Sequence, residues 1–184
     1  GRAAPVQRRM QTLIDAFFET QAFKALRPRT QRGYTQTTGY IRAWAEALGE
    51  PDPALIGKPD IEKLLAKFDD KPTTRRMVKI ILKLVMDQAI DMGWRTDNPA
   101  ARIKMGAPKT KAAIWEAVDV EAYAWAAVGM GQPGMAALIL MEWEIGQRLT
   151  DAYLFRAGAE YLPDKGLFQF RQSKTDAPVS IPVS

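Results

Sequence analysis

A chain of 184 residues, 47% of them hydrophobic and 26% charged, has room for one large or two small packed domains and is too apolar to be disordered throughout. It contains no cysteine and no histidine, which excludes a disulfide framework, a thiolate metal site and the commonest general base. The net charge of +5 is unevenly placed, with 21 Lys+Arg against 12 Asp+Glu in residues 1–112 and 5 against 9 in residues 113–184. A basic front part fits a polyanionic partner, nucleic acid first, and charge alone fits a solvated basic surface equally well.

In chain order, Met10, Leu13, Ile14, Phe17 and Phe18 recur at helical spacing and predict an amphipathic helix over roughly 6–24. Pro28, in Leu26-Arg-Pro-Arg-Thr30, breaks it and suits the start of a second helix with Tyr34, Ile41, Trp44, Ala45 and Leu48 on one face. Gly49 and Glu50-Pro-Asp-Pro53 end that helix. A short helix after Lys58-Pro59 has Ile61, Leu64, Leu65 and Phe68 as its buried stripe. The most apolar helix of this part covers roughly 73–92, with Met77, Ile80, Ile81, Leu84, Val85 and Ala89 as apolar positions and Arg76, Lys79 and Lys83 on another side. Gly93 stops it, and Trp94 to Asn98-Pro99 forms a closing turn. Four helices with short loops make a compact bundle.

Lys104-Met-Gly-Ala-Pro-Lys-Thr-Lys111 has Gly, Pro and little to bury, and reads as a linker. Beyond it, Asp119 is expected to cap a helix through Tyr123 and Trp125 that Gly129 and Gly131 end. Residues 134–145 are almost wholly apolar, the pattern of a helix buried on most sides. Gly146 stops that helix, and Thr150 or Asp151 begins another short one. The tail turns to strands: Tyr161-Leu162, the turn Pro163-Asp-Lys-Gly166, an alternating run from Leu167 to Ser173, and Val179, Ile181 and Val183 alternating again. This is a three-stranded antiparallel meander, with Pro178 and Pro182 favouring an edge for the last strand. Because an open edge is an odd natural ending, Ser184 is expected to be a truncation. No apolar run spans a bilayer, since Glu142 and Glu144 interrupt the longest candidate, and the N-terminus lacks an apolar signal segment; a cytoplasmic location is expected.

Two stretches resemble the tyrosine recombinases of the phage-integrase class. Ile145-Gly-Gln-Arg-Leu-Thr-Asp151 is similar to the box in which a Gly ends a buried helix and the first catalytic Arg follows. Gln172-Ser-Lys-Thr-Asp176 with Val179-Ser-Ile-Pro-Val183 resembles the hairpin whose Lys-Thr-Gly-like turn presents the catalytic lysine, with Asp176 where the family has Gly. Leu26-Arg-Pro-Arg-Thr30 with Tyr34, Pro72-Thr-Thr-Arg-Arg76, and Gly93-Trp with Asn98-Pro-Ala100 resemble landmarks of the family's core-binding domain, in the right order.

The resemblance implies a mainly α chain: a four-helix SAM-like core-binding bundle at 1–104, a linker at 105–112, and at 113–184 the helical and three-stranded antiparallel start of a catalytic domain. It implies double-stranded DNA as partner, no cofactor and no metal, and site-specific recombination or integration through a covalent 3′-phosphotyrosyl intermediate. Arg148 would bind the scissile phosphate, as a guanidinium does bidentately while staying charged. Lys174 would protonate the leaving 5′ oxygen. Asp151 would brace Arg148 or cap the short helix. Read locally, without the family landmarks, Arg148 is more readily a structural arginine paired with Glu144 or Asp151. Phosphate-contact candidates are Arg29, Arg32, Arg75, Arg76, Lys79 and Lys83, with Thr30, Thr73 and Thr74 at helix starts and Lys104, Lys109 and Lys111 in the linker. Each cation reads equally as a solvated charge and each threonine as a helix cap. The family's second Arg box, its following His or Trp and its nucleophilic Tyr have no match here, since Tyr153 and Tyr161 precede the lysine hairpin. The expectation is a monomeric fragment that binds DNA without cutting it, from an enzyme that acts as a tetramer. Competing readings are a non-catalytic DNA-binding regulator on the same scaffold and a helical protein-interaction module.

Overall fold

The computed structural model describes residues 7–106 and 114–182, which leaves Lys109 and Lys111 outside the described residues. The chain divides into two compact units, Gly1–Thr110 and Lys111–Ser184.

In the first unit, α1 (Met10–Glu19) and α2 (Gln21–Lys24) stand where one helix over 6–24 was expected. Thr20 causes the break: its backbone is extended, and its hydroxyl accepts from the Phe23 N–H at 3.2 Å and donates to the Phe17 carbonyl at 2.7 Å. The break turns Phe23 back onto Phe17 and Phe18, at ring-centroid separations of 5.6 and 4.6 Å. Helix α3 (Pro28–Ala47) opens on proline, whose missing N–H costs nothing at a first turn. Its buried face carries Ile41, Trp44 and Ala45 as expected, but the helix ends at Ala47, and Leu48, counted into that face, is exposed.

The turn after α3 does more than stop it. Gly49 and Glu50 both take left-handed backbone, at φ 75 and 56, and the Glu50 N–H donates to the Ala45 carbonyl. The Glu50 carboxylate then accepts from the Gln11 N–H at 3.1 Å, across 39 positions of sequence. Helix α1 has no side-chain cap of its own, so a distant residue satisfies one of its orphan donors.

A 3-10 turn at Pro53–Leu55, capped by Asp52 and not foreseen from the sequence, leads to α4 (Lys58–Ala66) and α5 (Pro72–Asp91). The buried stripe of α5 is Val78, Ile81, Leu82, Val85, Met86 and Ala89; Ile80, expected inside, is exposed, because the stripe is rotated by about one position. With Met10, Leu13, Ile14, Ile41, Ile61 and Leu65 these residues form one core. Each such side chain contributes about 1.5–3 kcal/mol on burial. The closing turn is fastened by Arg95, which donates to the carbonyls of Pro53 (2.6 Å), Ile56 (3.0 Å) and Asp97 (2.7 Å), and by Asn98, which donates to the Lys83 carbonyl and the Asp87 carboxylate.

In the second unit, α6 (Ala117–Gly129) has Glu116 rather than Asp119 at its N-cap position. Asp119 lies one turn in and reaches back to accept from the Glu116 N–H at 3.1 Å. Helix α7 (Pro133–Ile145) packs on α6 through Ala124, Ala127 and Ala136, small residues that let two backbones approach. The expectation that α7 is buried on most sides fails, since only Ala136 and Ile145 are buried while Met135, Leu140 and Trp143 are exposed. Its apolar residues point all round, and α6 covers one side. Gly146 stops α7 in the left-handed conformation (φ 60). The short helices α8 (Leu149–Tyr153) and α9 (Ala157–Glu160), the latter unexpected, lead into the sheet. Strands β1 (Tyr161–Leu162), β2 (Leu167–Arg171) and β3 (Pro178–Pro182) form the expected antiparallel meander in the order β1-β2-β3, with Phe168 opposite Ile181 and Phe170 opposite Val179. The Phe155 ring, just past α8, meets Phe168 edge-on at 5.0 Å.

Candidate functional site

Two residues after the Gly146 stop, Arg148 occupies the N-cap position of α8 with extended backbone (φ −67, ψ 145), where Thr150 or Asp151 was expected to begin the helix. An arginine carries no acceptor and cannot cap a helix, so its side chain is available for other work. It is 46% exposed. Its Nη1 donates to Gln172 Oε1 at 3.3 Å and lies 3.6 Å from Asp151 Oδ2; Nε and Nη2 have no hydrogen-bond partner among the described residues. Of the two carboxylates that could pair with it, Asp151 is the one that does.

Asp151 has a side chain only 1% exposed. Its Oδ1 accepts from the Ser173 N–H at 2.8 Å, and its Oδ2 has no hydrogen bond among the described residues. Hydrogen bonding from Ser173 holds this carboxyl below the usual range, with the Arg148 charge adding to it and burial opposing it. Asp151 therefore grips the turn between β2 and β3 as well as standing beside Arg148.

That turn carries Lys174. It is closed by the Gln172 N–H donating to Ala177 O and the Asp176 N–H donating to Gln172 O, both at 2.9 Å. Asp176 takes the left-handed conformation (φ 56) that a glycine adopts most freely. Arg171 donates to the Asp176 carbonyl at 2.7 Å and to its carboxylate at 3.2 Å. Lys174 is exposed, and Ser173 and Thr175 on either side of it are bonded to Asp151 and Gln172 respectively. Thus Arg148 and the Lys174 turn, 26 positions apart in sequence, meet through Gln172 and Asp151. Sequence reasoning assigned no role to Gln147 or Gln172, because an amide's partners cannot be read from spacing.

In the first unit the expected phosphate contacts separate into engaged and unengaged groups. Arg75 sits 3.3 Å from Asp69, Arg76 donates to the Gly106 carbonyl at 3.0 Å, and Lys83 pairs with Asp87 at 2.8 Å. The Asp87 carboxyl feels burial, which raises it, but the hydrogen bonds from Lys83 and Asn98 outweigh this and leave it lowered. Arg29, Arg32 and Lys104 are exposed and Lys79 is half-buried, and no partner is recorded for any of them among the described residues. Thr30, Thr73 and Thr74 lie in the first turns of α3 and α5, whose N-cap residues make no side-chain capping hydrogen bond to the helix. No group of three or more acidic side chains gathers to hold a metal ion among the described residues, and no described helix is long and apolar enough to cross a membrane.

No protein-family model matches the sequence, and no curated protein does. Solved structures do. A lambda integrase dimer bound to a COC′ core site superposes with a TM-score of 0.80 at 20% identity, covering 95% of this chain and 48% of that one. A lambda integrase tetramer bound to a Holliday junction gives 0.80 at 18% identity, covering 99% and 55%. Lambda integrase bound to DNA gives 0.74 at 21% identity, covering 95% and 59%. The chain has the lambda integrase fold, mainly helical with a small antiparallel sheet, as the tyrosine-recombinase resemblance implied, and it spans about half the length of those chains.

Proposed function

We propose that the chain belongs to a site-specific tyrosine recombinase, binding duplex DNA and contributing part of an active site that works through a 3′-phosphotyrosyl link. The observation that carries this is the meeting of Arg148 and the Lys174 turn on a scaffold of lambda integrase fold. Arg148 binds the scissile phosphate: its Nε and Nη2 edge offers two parallel N–H donors, the geometry a phosphate accepts bidentately. Held by Gln172 and Asp151, it stabilises developing charge without reorganising. Lys174 gives its proton to the leaving 5′ oxygen. The chain by itself holds DNA without cutting it, since its tyrosines at 153 and 161 precede the lysine turn and it has no histidine. The DNA complexes formed by the structural neighbours support the partner, and the lambda integrase tetramer supports assembly of the intact protein as a tetramer, with this chain alone a monomer.

The first unit supplies the grip, with the unengaged cations Arg29, Arg32, Lys79 and Lys104 leading and Arg76 assisting. Five phosphate contacts predict a slope of log K against log salt of roughly −4 to −5 on duplex DNA. Fluorescence anisotropy across a salt series measures it. Lys79→Ala and the Arg29/Arg32 double alanine variant are expected to weaken binding and flatten the slope, while Lys83→Ala changes it little. A slope near zero overturns the DNA reading. In the intact protein, Arg148→Ala is expected to abolish covalent complexes on a nicked suicide substrate and spare binding; undiminished complexes make Arg148 structural. The gene separates the enzyme from a non-catalytic regulator: a second Arg box and a Tyr encoded after Ser184 support the enzyme, and a stop codon there overturns it.

A further inference from the structure

We infer that Gln172 is a positioning residue that holds the Arg148 guanidinium and the Lys174 turn as a single anion-binding group. Gln147 Nε2 donates to the Ile145 carbonyl at 3.2 Å, and Gln147 Oε1 accepts from Gln172 Nε2 at 2.9 Å. Gln172 Oε1 in turn accepts from Arg148 Nη1 at 3.3 Å and from Thr175 Oγ1 at 2.9 Å. Both ends of this relay are chemically one-way. The Ile145 carbonyl, one of the orphan acceptors at the end of α7, can only accept, and a guanidinium can only donate. The orientation of both amides follows, so each link has one possible sense.

Two consequences come from the choice of an amide at position 172. Bonding at Nη1 leaves the Nε and Nη2 edge intact, and that edge is the side-on fork for a phosphate. An amide oxygen also fixes the arginine without cancelling its charge. Asp151, at 3.6 Å from Nη1, already provides one carboxylate. A second at position 172 would discharge the guanidinium and compete with the incoming phosphate. Through Thr175 the same oxygen holds the residue next to Lys174, so the general acid and the phosphate ligand share one anchor.

This inference rests on the reading of Arg148 as a phosphate ligand, and the test separates the two. In the 184-residue chain, the Arg148 Nε–H resonance is assigned by its loss in Arg148→Lys, its order is read by heteronuclear NOE, and inorganic phosphate is titrated. In the unaltered chain an ordered Arg148 resonance that shifts with phosphate is expected. Gln172→Ala is expected to lower the NOE and weaken phosphate roughly ten-fold, the scale of one hydrogen bond to a charged group, with the resonances of the first unit unmoved. Gln172→Glu keeps the acceptor and is expected to leave Arg148 ordered while weakening phosphate further, a split that a purely structural role would not produce. Gln147→Ala, one step earlier in the relay, should shift both readouts in the direction of Gln172→Ala by less, and serves if Gln172→Ala does not fold. An Arg148 as ordered in Gln172→Ala and Gln147→Ala as in the unaltered chain overturns the inference. An Arg148 that loses order in both variants but ignores phosphate in the unaltered chain supports the tether and overturns the phosphate reading.

Discussion

Asp151 is buried, charged and bonded to a backbone N–H of the lysine turn, so its protonation state bears on how well the second unit holds together. Its pKa is lowered on folding, so its contribution is complete above the ordinary carboxylate range and is lost as pH falls through the native value. The second unit should therefore loosen on acidification below about pH 4. Asp151→Asn, which keeps an acceptor for Ser173 but does not titrate, is expected to be less stable at neutral pH and to show a shallower acid limb by near-ultraviolet circular dichroism. An acid limb identical to that of the unaltered chain removes this role. Asp176 offers the opposite test. Its left-handed backbone costs about 1 kcal/mol relative to glycine, while its bonds to Arg171 are exposed and contribute little. Asp176→Gly should stabilise the hairpin by about 0.5–1 kcal/mol in urea denaturation; a loss of stability would show that Arg171 matters more than the backbone.

Among the elements, the distant cap on α1 has a definite energetic meaning. Removing the Glu50 carboxylate by Glu50→Ala leaves a Gln11 donor without its partner and retains the left-handed backbone, for a loss of about 1–2 kcal/mol in thermal or chemical unfolding. A change within error would make the contact incidental. Element order was legible because apolar periodicity and the Gly and Pro stops act locally: Pro28, Gly93 and Gly146 sit at the helix boundaries they were expected to set. What was not legible depended on partners far away in sequence. Thr20 looks like any helical threonine until Phe23 has a place to go, and Ile80 belongs to the apolar pattern of α5 but lies outside its buried stripe. The exposed side of α7 was misread for a related reason, since an all-apolar helix states only that cover is needed and not whether it is there. In the candidate site the arginine and lysine were expected from their motifs, and the structure joins Arg148 to the turn of Lys174 through Gln172. The two glutamines that join them were invisible, because a side-chain amide can serve either as donor or as acceptor.

At the scale of the molecule, the two units are built to different standards. The first buries a continuous set of Leu, Ile, Val and Met side chains, whereas the buried cluster of the second is, among the described residues, three alanines, with Trp125 73% exposed. Local opening follows buried apolar contact, so the amides of α5 should be protected from hydrogen exchange roughly a hundred-fold more than those of α7. Equal protection would mean that the chain unfolds as one cooperative body. The charge is divided the same way: the well-packed unit carries the excess of basic residues and the loosely packed unit carries the arginine and lysine of the candidate site. In the proposed function grip and chemistry sit on parts of unequal rigidity, and DNA contact through the first unit is expected to survive conditions that disorder the second.

The carboxylate that closes α1 also sets an order of events during synthesis. Helix α1 leaves the ribosome before α3, and the residue that completes its first turn is made 39 positions later, just past the end of α3. A ten-residue helix is too short to persist alone in water. The nascent α1 must therefore wait, frayed, until α3 has folded and its terminal turn has swung Glu50 into place. If so, Glu50→Ala will speed unfolding and leave the refolding rate unchanged; slowed refolding would place α1 in the nucleus instead. Helix α1 is then made before α3 and finished after it.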